Sequence, residues 1–123
     1  MLASWLELPS VADSVGRASQ ATGLDLVAHG TTSDADTIRD TAVAQPLLVA
    51  SALASLRAVL ELDADDALGI AAHRTVGVTA GHSVGELAAA VVAGVLTDDE
   101  ALRLVTVRGA AMARAAAATP TGM

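Results

Sequence analysis

The chain has 123 residues, 53% of them hydrophobic, with Trp5 as its one aromatic side chain, so aliphatic and alanine packing must fill the core of a single ordinary domain. Seven arginines and no lysine stand against fourteen acids, and the net charge of −7 excludes a general nucleic-acid or anionic-membrane surface. The lack of cysteine excludes disulfides, thiolate metal sites and a cysteine nucleophile, and fits an intracellular compartment.

After "WLELP", residues 10–22 read as a helix with Ser10 as its N-cap and Gly23 as the stop. "LDLVAHG" is short and reads as extended, and "TTSDADTIRD" as a polar loop with a helical turn from about Ser33. The near-continuous apolar cover of "TAVAQPLLVASALASLRAVLEL" predicts a largely buried helix over 43–62, with Pro46 suited to its first turn. Ser51, Ser55, Arg57 and Glu61 interrupt the apolar stretch 47–62, so it is not expected to span a membrane. The amino terminus has no basic run before an apolar one, as a secretory leader would. A soluble, cytoplasmic protein is the expectation.

"DADDALG" reads as an acidic, solvated connector rather than a metal loop, and no metal site is expected. Residues 75–80 are small or β-branched without polar alternation beyond threonine, which predicts a strand buried on both faces, as in a parallel sheet. Such a strand needs neighbours on both edges to pair its backbone. Few other segments could supply them, so the predicted sheet is incomplete. A helix over 85–93 follows, closed by Gly94. "TDDE" is a capping box, Thr97 with Glu100, opening a helix over 98–118 that Pro120 and Gly122 stop.

Gly81-His82-Ser83-Val84-Gly85 matches G-x-S-x-G. A tight strand-to-helix turn would lift the Ser83 hydroxyl out of the sheet edge and aim the positive helix end at it. The Val84 amide would then be placed to hold an oxyanion. Glycine and serine are also ordinary turn residues, and a purely structural turn is the competing reading. The predicted strand before and apolar helix after are the context that the chemical reading requires.

"GHSVGELAAAVVAGVL" followed by "RLVTVRGAAM" resembles the malonyl-CoA:acyl carrier protein transacylases of fatty-acid synthesis and the related acyltransferase domains of polyketide synthases. "DTAVAQPLLVASALA" matches the family's segment upstream of the serine, and "WLELP" resembles actinobacterial members. The resemblance covers nearly the whole chain in several ordered blocks. It implies that Ser83 takes malonyl from coenzyme A as an ester and passes it to the phosphopantetheine thiol of acyl carrier protein. Val84 then supplies an oxyanion-hole amide, and its branched side chain is similar to malonyl-selective members. Arg108 matches the arginine that grips the substrate's free carboxylate; without the family, a solvated helix face would be its simplest reading. Gln45, in the family's "QP" pair, falls near the pocket or is a plain helix-start polar residue. His82 is read as a hydrogen-bonded structural histidine near the site, since a residue adjacent to Ser83 points away from it. Glu86 matches the family's "GHSxGE" and is taken as structural. His29 and His73 fit no family motif, and Arg103 and Arg114 read as helix-surface charges.

The implied fold is α/β: a helix-rich part of an α/β-hydrolase-like large subdomain with a nucleophile-elbow strand. The family's "GQG" loop, its "GxFH" histidine base and its ferredoxin-like small subdomain are expected outside residues 1–123, which alone would be inactive or nearly so. Malonyl-CoA and acyl carrier protein are the implied partners, with no cofactor, nucleic acid or membrane. A polyketide synthase acyltransferase domain, an esterase or thioesterase, and a catalytically dead binding module are the alternatives.

Overall fold

Proline and glycine bound the first helix in this computed structural model, which describes residues 2–118. After a 3-10 turn at Trp5–Glu7, α1 runs Pro9–Thr22 with Pro9 in its first turn, where its missing amide has no helical partner to lose. Leu8, not Ser10, is the N-cap, and it makes no side-chain cap. Gly23 closes α1 in the left-handed region at φ 71. The stretch expected to be extended is instead helix α2, Leu26–Thr31. Asp25 accepts from the Ala28 amide at 2.9 Å, and burial of Leu26 ties the short helix down. Next comes α3, Ala35–Arg39, capped by Asp34.

The most apolar helix forms the axis of the fold. This is α4, Thr41–Val59, which begins two residues earlier than expected because Asp40 caps the Ala42 amide at 2.8 Å. Pro46 therefore lies inside the helix rather than in its first turn, and it removes the amide that would bond to the Ala42 carbonyl. By length and composition α4 could cross a membrane, the serines and Arg57 notwithstanding. Here it packs against α1, α2, α3, α6 and the long last helix. Its buried residues, Leu47, Val49, Ala50, Leu53 and Ala54 among them, are distributed widely around it, as befits a central helix. Each fully buried leucine or valine of this kind contributes about 1.5–3 kcal/mol relative to an exposed one.

Arg57 is the charged member of that buried set at 3% exposure. Its Nη1 donates to the carbonyls of Asp63 and Asp66 at 2.9 and 2.8 Å, and its Nη2 to the Asp98 carboxylate at 2.7 Å. One guanidinium thus fixes the acidic connector after α4 to the first turn of the last helix. The connector leads to a short helix that the sequence reading missed, α5, Leu68–Ala72.

Residues 75–80 do not form a strand, and among the described residues there is none. A single extended segment has no ladder to satisfy its amides and carbonyls, so it lies as irregular chain, with Val78 88% exposed. The described residues are helix-rich, as expected, and the one element corrected is the elbow strand, which is irregular chain here. Two helices complete it: α6, Gly85–Val92, followed by the left-handed Gly94, and α7, Asp98–Ala118. The start of α7 at Asp98 is the one expected and the helix runs to the last described residue, while Pro120 and Gly122, read as its stop, lie outside the described residues. Val11 and Val15 of α1, Leu53 of α4 and Leu102 and Val105 of α7 meet in one core.

The capping box at α7 is formed. The Thr97 amide donates to Glu100 Oε2 at 2.8 Å, and the Glu100 amide to Thr97 Oγ1 at 3.2 Å. These bonds favour the ionised carboxylate and hold Glu100 below its ordinary pKa, the Thr97 backbone amide being the larger cause. A lowered folded-state pKa means that this support is complete above the unfolded-state value and is lost as pH falls through the folded one. Thr97→Ala, which keeps the amide but removes the hydroxyl, should move Glu100 part of the way back in a carbon-13 carboxyl titration. The stability gap between wild type and Thr97→Ala should narrow as acid protonates Glu100. An unmoved titration would show that the hydroxyl plays no part.

Candidate active site

Ser83 lies between the unpaired segment 75–80 and the first turn of α6, with φ at 57. A non-glycine residue in that region is uncommon and strained by about 1–3 kcal/mol. Positive φ alone does not make a site: Glu61 has φ 55 just past the end of α4, where it belongs to the helix stop. What distinguishes Ser83 is its surroundings.

The backbone doubles back sharply there. A Cβ on Gly81 would lie 2.2 Å from the Gly85 carbonyl oxygen and 2.4 Å from the Glu86 amide nitrogen, so no side chain fits. A Cβ on Gly85 would meet nothing within 4 Å, so the described residues demand only the first of the two glycines. The Gly85 amide donates to the His82 carbonyl at 3.0 Å and the Glu86 amide to the Ser83 carbonyl at 3.3 Å, which tightens the turn into α6. Among the described residues the Ser83 and Val84 amides donate to nothing. They are donors at the positive end of a helix, beside an exposed hydroxyl.

Arg108 reaches that hydroxyl from α7. Its Nη2 donates to Ser83 Oγ at 3.0 Å, and its Nη1 donates to Gln45 Oε1 on α4. Gln45 is buried, at 6% exposure, and its Nε2 in turn meets Met112 Sδ at 3.1 Å. The close approach of α4 and α7 makes this possible. A Cβ on Gly109 would lie 2.6 Å from the Thr41 carbonyl oxygen, so glycine lets the two backbones touch one residue from Arg108. Across the same contact Thr41 Oγ1 donates to the Gly109 carbonyl at 3.4 Å.

The charge of Arg108 is uncompensated among the described residues. Arg17 pairs with Asp65, Arg39 with Asp36, Arg57 with Asp98 and Arg103 with Asp99. Arg74, Arg108 and Arg114 have no such partner among the described residues, and of these three Arg108 alone is held in place, by two neutral acceptors. A half-buried guanidinium bonded to an exposed hydroxyl suits an anionic substrate group.

The structure thus brings together Ser83, the Val84 amide, Arg108 and Gln45, from three separate parts of the chain. His82 is exposed beside them, and its ring has no hydrogen-bond partner among the described residues. Glu86 is exposed in the first turn of α6. His29 bonds the Ser33 hydroxyl at 3.0 Å, and His73 sits by Gly94; neither joins the cluster. Met112 was missed by the sequence reading. It stands one turn after Arg108 on the same helix, a spacing that puts both side chains on one face.

The family model described as "Acyl transferase domain" matches residues 9–123. The malonyl CoA-acyl carrier protein transacylase of Mycolicibacterium smegmatis is 48% identical over 123 residues, which is all of this chain and 40% of that protein. The protein of the same name from Mycobacterium tuberculosis is 50% identical over 123 residues, again all of this chain and 38% of the other. The crystal structure of MCAT from Mycobacterium tuberculosis superposes with a TM-score of 0.83 and 43% identity, covering 98% of this chain and 38% of that one. The chain spans about two fifths of the length of the curated relatives it matches.

Proposed function

Because the chain belongs to the acyl transferase domain family, we propose that it carries the acyl-accepting serine of a malonyl-CoA:acyl carrier protein transacylase in fatty-acid synthesis. Ser83 Oγ attacks the thioester carbonyl of malonyl-CoA, and the amides of Val84 and a second donor hold the oxygen as it gains charge. The C–S bond breaks and coenzyme A leaves as the thiol, taking the proton that a base removed from Ser83. The phosphopantetheine thiol of acyl carrier protein then attacks the malonyl ester, and Ser83 recovers its proton as it leaves. In this reading the base is a histidine from a segment outside the matched two fifths, as in the family's pattern. Serine ester chemistry of this kind needs no cofactor.

One observation carries the assignment: the Arg108 guanidinium donates to Ser83 Oγ at 3.0 Å across 25 residues of sequence. A simple esterase has no need of a cation there. A malonyl thioester does, because its far end is a carboxylate that a guanidinium binds through two parallel hydrogen bonds. The left-handed Ser83 also supports reading the turn as a nucleophile elbow. Residues 1–123 then form part of an α/β-hydrolase-like large subdomain, with 75–80 pairing as a strand once neighbouring strands flank it. The cytoplasm is the compartment that holds both proposed substrates.

The test uses the full-length protein that carries this chain. Incubated with malonyl-CoA and digested, it should show a malonyl ester on the Ser83 peptide by mass spectrometry. Adding phosphopantetheinylated carrier protein should move that group to the carrier thiol. A label on another residue, or hydrolysis with no transfer to the thiol, would overturn the reading and favour an esterase.

A further inference from the structure

A cation meant to hold a carboxylate must be kept in place without being neutralised. Acids outnumber bases two to one in this chain, yet the residue that anchors Arg108 is an amide. Gln45 is buried on α4, one turn after the Thr41 that meets Gly109 of α7, and both ends of its amide are engaged. The oxygen accepts from Arg108 Nη1, while the nitrogen faces the Met112 sulfur, an acceptor with no hydrogen to give. A flipped amide would aim its NH2 at a guanidinium, donor against donor, and leave the carbonyl against sulfur. The guanidinium thus demands the carbonyl end of the amide, and the sulfur reinforces that orientation by accepting from the other end.

Resting on the transacylase reading, we propose that Gln45 is the positioning residue for Arg108. It is a neutral acceptor, oriented by Met112, that fixes the guanidinium while leaving its charge for an acyl group with a free carboxylate. The selectivity would be built from both sides of the residue. Leucine at position 45 would leave Nη1 without its anchor and the fork free to swing. Glutamate would hold Arg108 as well as glutamine does, but as an internal ion pair that competes with the substrate for the same charge. A guanidinium has five donors in a planar fork, and the two bonds seen here leave three to meet a carboxylate.

The experiment compares kcat/KM for malonyl-CoA and acetyl-CoA in the full-length protein and in its Gln45→Glu, Gln45→Leu and Met112→Leu variants. Acetyl-CoA lacks the carboxylate, so the malonyl-to-acetyl ratio isolates the charge term from any general damage. Gln45→Glu should lower that ratio about a hundredfold, mainly through the malonyl-CoA KM, and Gln45→Leu about tenfold. Met112→Leu, close in volume, should lower it about threefold by releasing the amide. A ratio within about twofold of wild type in Gln45→Glu would overturn the proposal, as would equal loss of both acyl groups in the two Gln45 variants. A wild-type protein that takes no acyl group on Ser83 fails the transacylase reading itself and takes this proposal with it. One that acylates but keeps its ratio in the Gln45 variants fails this proposal alone.

Discussion

Ser83→Ala in the full-length protein should show no acyl ester and should lose transfer by about a thousandfold or more, because it removes the hydroxyl that takes the acyl group in the proposed reaction. The competing explanation for such a loss is misfolding, and the backbone separates the two. Ser83 is held at φ 57, a conformation that strains alanine about as much as serine, so Ser83→Ala should melt close to wild type. Ser83→Gly removes the strain altogether and, after the added flexibility of the unfolded chain, should be more stable by about 1 kcal/mol. It should be just as inactive. A variant that gains stability while losing all activity is the signature of a strained functional residue. Persistent acylation of Ser83→Ala, or a melting temperature that falls steeply in both variants, would contradict it.

The parts of this fold that the sequence made legible are those whose causes are local. The Thr97–Glu100 capping box, the left-handed Gly23 and the start of α7 each depend on residues within a turn or two of one another. Ser83 was legible for the same reason: the Gly81 side chain must be absent wherever the backbone folds back on Gly85. The strand expected at 75–80 fails on the opposite ground. Its composition says only that it tolerates burial on two faces, whereas a strand exists through partners elsewhere in the chain. Leu26 shows the reverse error, a short apolar run that looked extended but is fixed as a helix by Asp25 and by core burial. The partnership of Arg108 with Ser83 and Gln45 spans 25 and 63 residues, respectively, and depends on the α4–α7 contact. Helical periodicity places Arg108 on a face of α7 but says nothing about which element that face meets. Only the family resemblance pointed to it, and nothing pointed to the Gln45–Met112 pair.

Arg108→Ala carries the second large effect, and its direction depends on the substrate. Two charge-assisted hydrogen bonds to a carboxylate are together worth about 3–5 kcal/mol, so transfer from malonyl-CoA should fall by about two to three and a half orders of magnitude. Acetyl-CoA offers no carboxylate, and for it the side chain is an obstacle more than an aid. In the free protein Nη2 donates to the Ser83 oxygen, occupying a lone pair of the atom that must attack. Removing the guanidinium frees that lone pair and leaves space where the carboxylate would sit. Acetyl transfer by Arg108→Ala should therefore hold steady or rise while malonyl transfer collapses. Arg108→Lys should fall between the two on malonyl, keeping the charge but losing the planar fork and, with it, the pairing to Gln45. The ratio of the two rates is the measurement that matters. Were acetyl and malonyl to fall together by the same factor, Arg108 would be supporting the shape of the turn, and no carboxylate-binding role could be claimed for it.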